Sequence, residues 1–268
     1  PERAREMLRG GKEYLENLLR PVDPSYRCVA FRAGSSVIAP SPFILGLLAD
    51  LGIVFDLSII GGMSADTKNL RFDYRNCEES LVPYYPRMDD ARRVSGKREP
   101  IVCVPLFHFY GSRRRVFAQT VSVALGKARE RLSRRGTNAG TDDGGYAGQE
   151  WMEARHASTL LRVYDKAIKP CLKGKHLTAD LSRLSYPFLR EMLRDIRRRA
   201  AASGLSEMPV ILTNHTKYVE DFAPIERFIG DAAASEDIKF LTLSALASKI
   251  RSGQFQVKIA ASRDRPVF

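Results

Sequence analysis

Residues 27–60 restrict the fold more than any other stretch. Val29-Ala30-Phe31 is an apolar run that stops at Arg32-Ala33-Gly34-Ser35-Ser36, and Ile53-Val54-Phe55-Asp56-Leu57-Ser58-Ile59-Ile60 is a second apolar run. Between them, about 42–50 carries Phe43, Leu47 and Leu48 at helical spacing. Two strand-length apolar runs separated by a short amphipathic helix read as a βαβ crossover. The crossover makes the two strands parallel, so both end on the same edge of one sheet. Gly52, between the helix and the second strand, suits a left-handed helix cap.

The rest of the chain continues the alternation. Residues 2–20 place Ala4, Met7, Leu8, Tyr14, Leu15, Leu18 and Leu19 at three-and-four spacing, an amphipathic helix stopped by Pro21 and Pro24. Pro100 to Phe109 reads as a strand, 114–133 as a basic helix, 136–148 as a Gly-rich polar loop and 149–169 as another helix. Strands follow at 176–181, 209–213 and 238–242, with helices at 186–202, 221–233 and 244–250. Between 61 and 96 the periodicity gives way to an aromatic, proline-punctuated stretch with Phe72-Asp73-Tyr74-Arg75 and Pro83-Tyr84-Tyr85-Pro86. The expectation is a single α/β domain over 1–250, with 61–175 as a large insertion and 251–268 as a tail.

The charge is the unusual part of the composition. Of 268 residues, 43 are Lys or Arg and 31 Asp or Glu, a formal net charge of +12. The excess lies in runs such as Arg113-Arg114-Arg115 and Arg197-Arg198-Arg199, which alternate with apolar residues as solvated helix faces do. A basic field attracts nucleic acid, anionic lipid or an acidic polysaccharide. The chain has neither basic-aromatic interleaving nor a recognition-helix motif, so nucleic acid is not favoured. No apolar run approaches the roughly 18 residues that span a bilayer. Cys28, Cys77, Cys103 and Cys171 form no Cys-x-x-Cys pair, which speaks against structural zinc and a disulfide framework. Pro1 stands where a start methionine would, so a missing N-terminus is expected, with a cytoplasmic location favoured and export left open.

In parallel α/β folds, reactive groups collect at the carboxyl ends of strands. Arg32, Asp56, His108, Asp180 and His215 fall there. His215, in Leu212-Thr213-Asn214-His215-Thr216-Lys217, is the best proton donor or acceptor, because imidazole titrates near neutral pH. Tyr74, Tyr84 and Tyr85 suit either stacking on a sugar or packing the loop onto its own domain.

Three segments together resemble the polysaccharide deacetylases, the NodB-homology family of metal-dependent carbohydrate esterases. Phe31-Arg32-Ala33-Gly34-Ser35 looks like the family's arginine motif, Leu51-Gly52-Ile53-Val54-Phe55-Asp56-Leu57-Ser58 like the segment that follows it, and Leu212-Thr213-Asn214-His215 like its closing strand with the catalytic histidine. The resemblance implies an incomplete (β/α)7 barrel, here missing its first one or two β/α units. It also implies a hydrolase that removes acetyl groups from a polysaccharide or amino sugar by means of a divalent metal, zinc or similar. His215 would then be the general acid, Arg32 would hold a catalytic aspartate ionised, and Asp180 would tune the histidine. Tyr74, Tyr84, Tyr85 and Lys217 would bind substrate.

The family's opening Thr-Phe-Asp-Asp-Gly strand end and its paired metal-binding histidines belong ahead of the arginine motif, where this chain has only a helix. Thr141-Asp142-Asp143-Gly144 has the right letters but no apolar strand before it. The metal ligands are therefore unknown. A C-terminal part of a longer enzyme is the favoured expectation, with strands supplied by a partner chain or a non-catalytic glycan-binding relative as the other readings. An anion- or nucleic-acid-binding α/β protein is a further alternative. The acetylated saccharide is the expected partner, no membrane span is expected, and a homo-oligomer is an open possibility.

Overall fold

The computed structural model describes residues 2–39, 42–66, 71–118, 121, 175–216, 219 and 221–261. The crossover read from the sequence is present. Helix α1 (Glu2–Leu19) leads to strand β1 (Ala30–Phe31), helix α2 (Ile44–Asp50) and strand β2 (Phe55–Asp56). The two strands pair in parallel with Ala30 opposite Phe55 and Phe31 opposite Asp56. Gly52 closes α2 at φ +73°, the left-handed conformation that an L side chain resists.

Two further pairings lie between β2 and the next parallel strand. Strands β3 (Ser64–Asp66) and β4 (Arg71–Asp73) form one antiparallel pair, and β5 (Pro86–Arg87) and β6 (Asp90–Val94) another. Strand β7 (Val102–Cys103) then joins the sheet parallel to β2, giving the order β1-β2-β7. The stretch read as irregular is thus two short ribbons. Strands of two to five residues are too brief to register a period of two in the sequence.

Strand β8 (His108–Gly111) pairs antiparallel with β9 (Lys175–Thr178). Helices α3 (Tyr186–Ser203), α4 (Ala223–Ala233) and α5 (Leu243–Arg251) complete the described elements. Parallel bridges join Leu106 to Ile211 and Asp180 to Thr213. Phe107 N–H donates to Ile211 O (3.0 Å), Thr213 N–H to Ala179 O (2.8 Å) and Leu181 N–H to Thr213 O (2.8 Å). These bonds continue the parallel system past β7 and bring the ends of two distant chain segments together.

The sheet is covered on both faces, as a parallel sheet requires. Phe55, Val102 and Val104 pack under Leu246 and Ala247 of α5, together with Phe255. Cys103, on the opposite face by strand alternation, packs with Leu45 and Leu48 of α2 and with Tyr74 and Tyr84. A second core joins Phe107 and Phe109 to Phe188, Leu189 and Met192 of α3 and Phe228 of α4.

Two sequence expectations change. Residues 238–242 are not a strand: Phe240 and Leu241 are exposed, and the segment runs into Thr242, whose Oγ1 accepts Ala245 N–H (3.1 Å) and caps α5. Residues 255–260 do not trail away as a tail. Lys258 N–H donates to Pro83 O (2.9 Å), Tyr85 N–H to Lys258 O (3.1 Å) and Ala260 N–H to Ser95 O (2.8 Å), and Phe255 is buried. The Gly-rich loop, the helix at 149–169 and all but the start of the basic helix at 114–133 lie outside the described residues. The architecture is mixed α/β with short sheets, and no closed barrel occurs among the described residues.

Candidate active site

Parallel pairing of Asp180 with Thr213 sends both chain segments out of the sheet in the same direction. His215, two residues beyond Thr213, therefore comes back over Asp180. Its Nδ1 lies 2.7 Å from Asp180 Oδ2. Asp180 is buried, while the His215 side chain keeps about a third of its surface. Arg183 Nε sits 3.3 Å from the same Oδ2. Oδ1 accepts the Ser182 hydroxyl (2.6 Å) and the Ser182 N–H (3.3 Å). A buried carboxylate with this many donors is held in one orientation. The imidazole inherits that orientation, since His215 N–H also donates to Ser182 Oγ (3.3 Å).

The same device recurs at the other strand end. Asp56 Oδ1 accepts the Ser58 hydroxyl (2.6 Å) and Ser58 N–H (3.2 Å), and Ser58 Oγ in turn accepts Ala33 N–H (2.8 Å). Asp56-Leu57-Ser58 and Asp180-Leu181-Ser182 are one tripeptide used twice. In each, a buried carboxylate fixes a serine, and the serine hydroxyl grips a backbone N–H at the end of another chain segment. Ser58 and Ser182 were not singled out from the sequence, although the repeated Asp-Leu-Ser carried the signal.

The two carboxylates differ in what faces them. Asp56 is fully buried, with Cys103 Sγ–H donating to Oδ2 (3.5 Å) and no cation among its partners. Burial pushes its carboxyl up to about 6, against the downward pull of the Ser58 and Cys103 hydrogen bonds.

Arg32 is exposed at the end of β1, and no carboxylate pairs with it among the described residues. The three inter-strand steps from its strand to the Ile211–Thr213 segment come to about 14 Å along the sheet. Arg32 and His215 thus share an edge without touching.

The loop after Arg32 is tightly made. Ser35 and Ser36 have φ of 53° and 60°, in the left-handed region. The Tyr74 hydroxyl donates to Ser36 O (2.7 Å) and accepts Ile38 N–H (3.0 Å) and Ala39 N–H (3.4 Å). Tyr74 is fully buried, which pushes its phenol pKa up.

The structure corrects the stacking role read for two tyrosines. Tyr84 is fully buried as well, with its hydroxyl donating to Ala91 O (2.6 Å). Both rings lie in the core and both hydroxyls serve the backbone, so neither meets a ligand in this arrangement. Tyr85 is half-buried against the cluster of Phe55 and Val102. His108 is buried at the start of β8. Lys217 and Thr141-Asp142-Asp143-Gly144 lie outside the described residues.

Among the described residues, no group of three or more His, Cys, Asp or Glu side chains could hold a metal ion. At the dyad, Asp180 already serves Ser182, Arg183 and His215, and Arg183 puts a cation beside it. This donor set does not fit a divalent metal. No described helix is long and apolar enough to cross a membrane. Comparison with protein-family models, curated proteins and solved structures gives no match.

Proposed function

We propose that this chain carries the acid half of a carbohydrate deacetylase, a hydrolase that removes acetyl groups from a polysaccharide or amino sugar. The observation that carries the reading is the Asp180–His215 pair, 2.7 Å apart at the ends of parallel-bridged segments, with the carboxylate buried and the imidazole reaching solvent. The order of the arginine, aspartate and histidine motifs in the chain supports the same family, and with it the incomplete (β/α)7 barrel.

Asp180 holds Nδ1 protonated, so exchange with a substrate falls to Nε2. Water adds to the acetyl carbonyl and gives up a proton to solvent, the bond from carbonyl carbon to sugar nitrogen or oxygen breaks, Nε2–H delivers its proton to the departing atom, and the imidazole is reprotonated from solvent. Asp180 Oδ2 lies 2.7 Å from Nδ1, beside the ring that gives up the proton. Arg32, fixed through Ala33 and Ser58, presents a cation on the same edge. The divalent metal that the resemblance implies finds no donor set at the dyad, so these steps are those of the chain's own residues.

Acetate release from acetylated amino-sugar oligomers tests the reading. His215→Ala is expected to abolish it while leaving the thermal unfolding midpoint within a few degrees. Activity within tenfold of the unsubstituted protein would remove His215 from the chemistry. Among the described residues no carboxylate pairs with Arg32, which favours a second reading, a glycan-binding relative without catalysis. Glycan binding with no acetate release by the unsubstituted chain is the outcome that selects it.

A further inference from the structure

Six residues beyond Asp180 the chain enters α3, and the first turns of that helix line a cleft of about 320 Å³. Its walls are Arg115, Tyr186, Pro187, Arg190 and Arg194. Residues 186, 190 and 194 fall one helical turn apart on one face. The charges there are not balanced. Arg115 pairs with Glu191 (3.0 Å), whereas Arg190 and Arg194 are exposed and have no carboxylate partner among the described residues. Arg227 of α4 adds another cation, its guanidinium 4.0 Å from the centroid of the Tyr186 ring. The nearby Asp231 accepts the Tyr186 hydroxyl.

The other half of the same helix is built differently. Arg197 pairs with Asp237 (2.7 Å), and Arg199 (2.9 Å) and Arg198 pair with Asp195. Alpha3 therefore pairs the arginines of its C-terminal half with carboxylates and leaves Arg190 and Arg194 without one among the described residues. Confined in a cleft, unpaired guanidinium groups present a forked donor geometry that matches oxyanions.

The cleft is also close to the dyad along the chain. Strand β9 runs toward Asp180 and the chain passes through 181–185 into α3, so Tyr186 is at most about 20 Å from Asp180 even if that segment were fully extended. An extended polymer held at one place can reach the other. Stacking of a nucleobase on Tyr186 is opposed by Arg227, which covers a face of the ring.

We propose that this cleft binds the carboxylate or sulfate groups of an acidic glycan. Resting on the deacetylase reading, it makes the substrate of the dyad an anionic polysaccharide. Recognition is by charge and by the guanidinium forks, so affinity falls as salt is raised.

The test titrates the full chain with four probes of matched length: an oligogalacturonate, a heparin oligosaccharide, a neutral N-acetylglucosamine oligomer and an oligo-dT. The two acidic glycans are expected to bind, with the better one naming carboxylate or sulfate as the preferred group. Arg190→Ala/Arg194→Ala is expected to weaken that binding tenfold or more and to flatten its salt dependence, while Arg87→Ala, a paired arginine on β5, stays within twofold. Circular dichroism checks that each variant is folded. Binding by the double variant within twofold of the unsubstituted protein overturns the proposal. So does equal binding of the neutral oligomer, or tighter binding of oligo-dT that the double variant loses. Binding without acetate release from the acetylated acidic glycan supports the cleft and refutes the deacetylase.

Discussion

Asp56 and Asp180 begin the same tripeptide and make the same two bonds to the serine two residues on. What separates them is the cation. Asp180 has Arg183 and His215 against Oδ2, whereas Asp56 has only the Cys103 thiol. Burial without a cation raises the Asp56 pKa from 3.8 to about 6, so the folded protein binds a proton there that the unfolded chain has released. This contribution to stability is fully present below about pH 4 and is lost as pH rises through about 6. Asp56→Asn keeps the acceptor for Ser58 and removes the charge. It is expected to be more stable than the unsubstituted protein at pH 8, by up to about 3 kcal/mol for a two-unit shift, with the difference fading toward pH 4. Urea midpoints of both proteins across this range check it, and a difference that does not vary with pH would show that the carboxyl is not the titrating group. At the other tripeptide, Asp180→Asn no longer stabilises the imidazolium. On the proposed deacetylase reading, acetate release is expected to fall on the order of 10²-fold or more with little change in KM, measured by steady-state kinetics.

At the scale of elements, the loop from Ala33 to Ala39 is held by side chains from outside it. Ser58 grips its start, and Tyr74 takes three backbone groups near its end. Tyr74→Phe leaves Ser36 O, Ile38 N–H and Ala39 N–H buried without that partner. A cost of about 1–3 kcal/mol follows, and the Ile38 and Ala39 amides are expected to exchange at least tenfold faster by mass spectrometry. Unchanged exchange would mean that the loop is held elsewhere. The sequence makes the crossover legible because the run from Ile53 to Ile60 that contains β2 is mostly apolar and Gly52 punctuates it. The Asp180–His215 pair is legible for a related reason: parallel strands end together. The role of Tyr74 is not, because a tyrosine in a proline-rich stretch looks the same whether its ring meets a ligand or its own core. The hairpins at 64–73 and 86–94 escape notice through their brevity.

At the scale of the whole molecule, α1 inverts the usual arrangement. Its apolar residues Met7 and Leu18 are 70% and 57% exposed, and Tyr14 is exposed too. Its buried residue is Glu16, which takes Lys12 (2.7 Å) and Arg20 (2.5 Å) and accepts Cys28 N–H (3.0 Å) just before β1. The sequence period located this helix but not the face it buries, since an ion-paired glutamate leaves no hydrophobic signal. Between α1 and the sheet, Met7, Leu8, Leu15, Phe31 and Leu51 line a largely apolar groove of about 290 Å³. Among the described residues, β1 is the edge of its sheet on that side, with hydrogen-bonded neighbours only toward β2. An apolar groove beside an open strand edge is adhesive: apolar surface drives association without direction, and the edge supplies unpaired backbone groups. The full chain is therefore expected to bind a hydrophobic dye and to sediment with a concentration-dependent mass. Met7→Lys/Leu18→Lys places charge on side chains that contribute little to the core, so the melting temperature is expected to hold while dye fluorescence falls by about half or more and the mass settles at that of the monomer. If both quantities stay as they were in the unsubstituted protein, the adhesive surface lies elsewhere on the molecule.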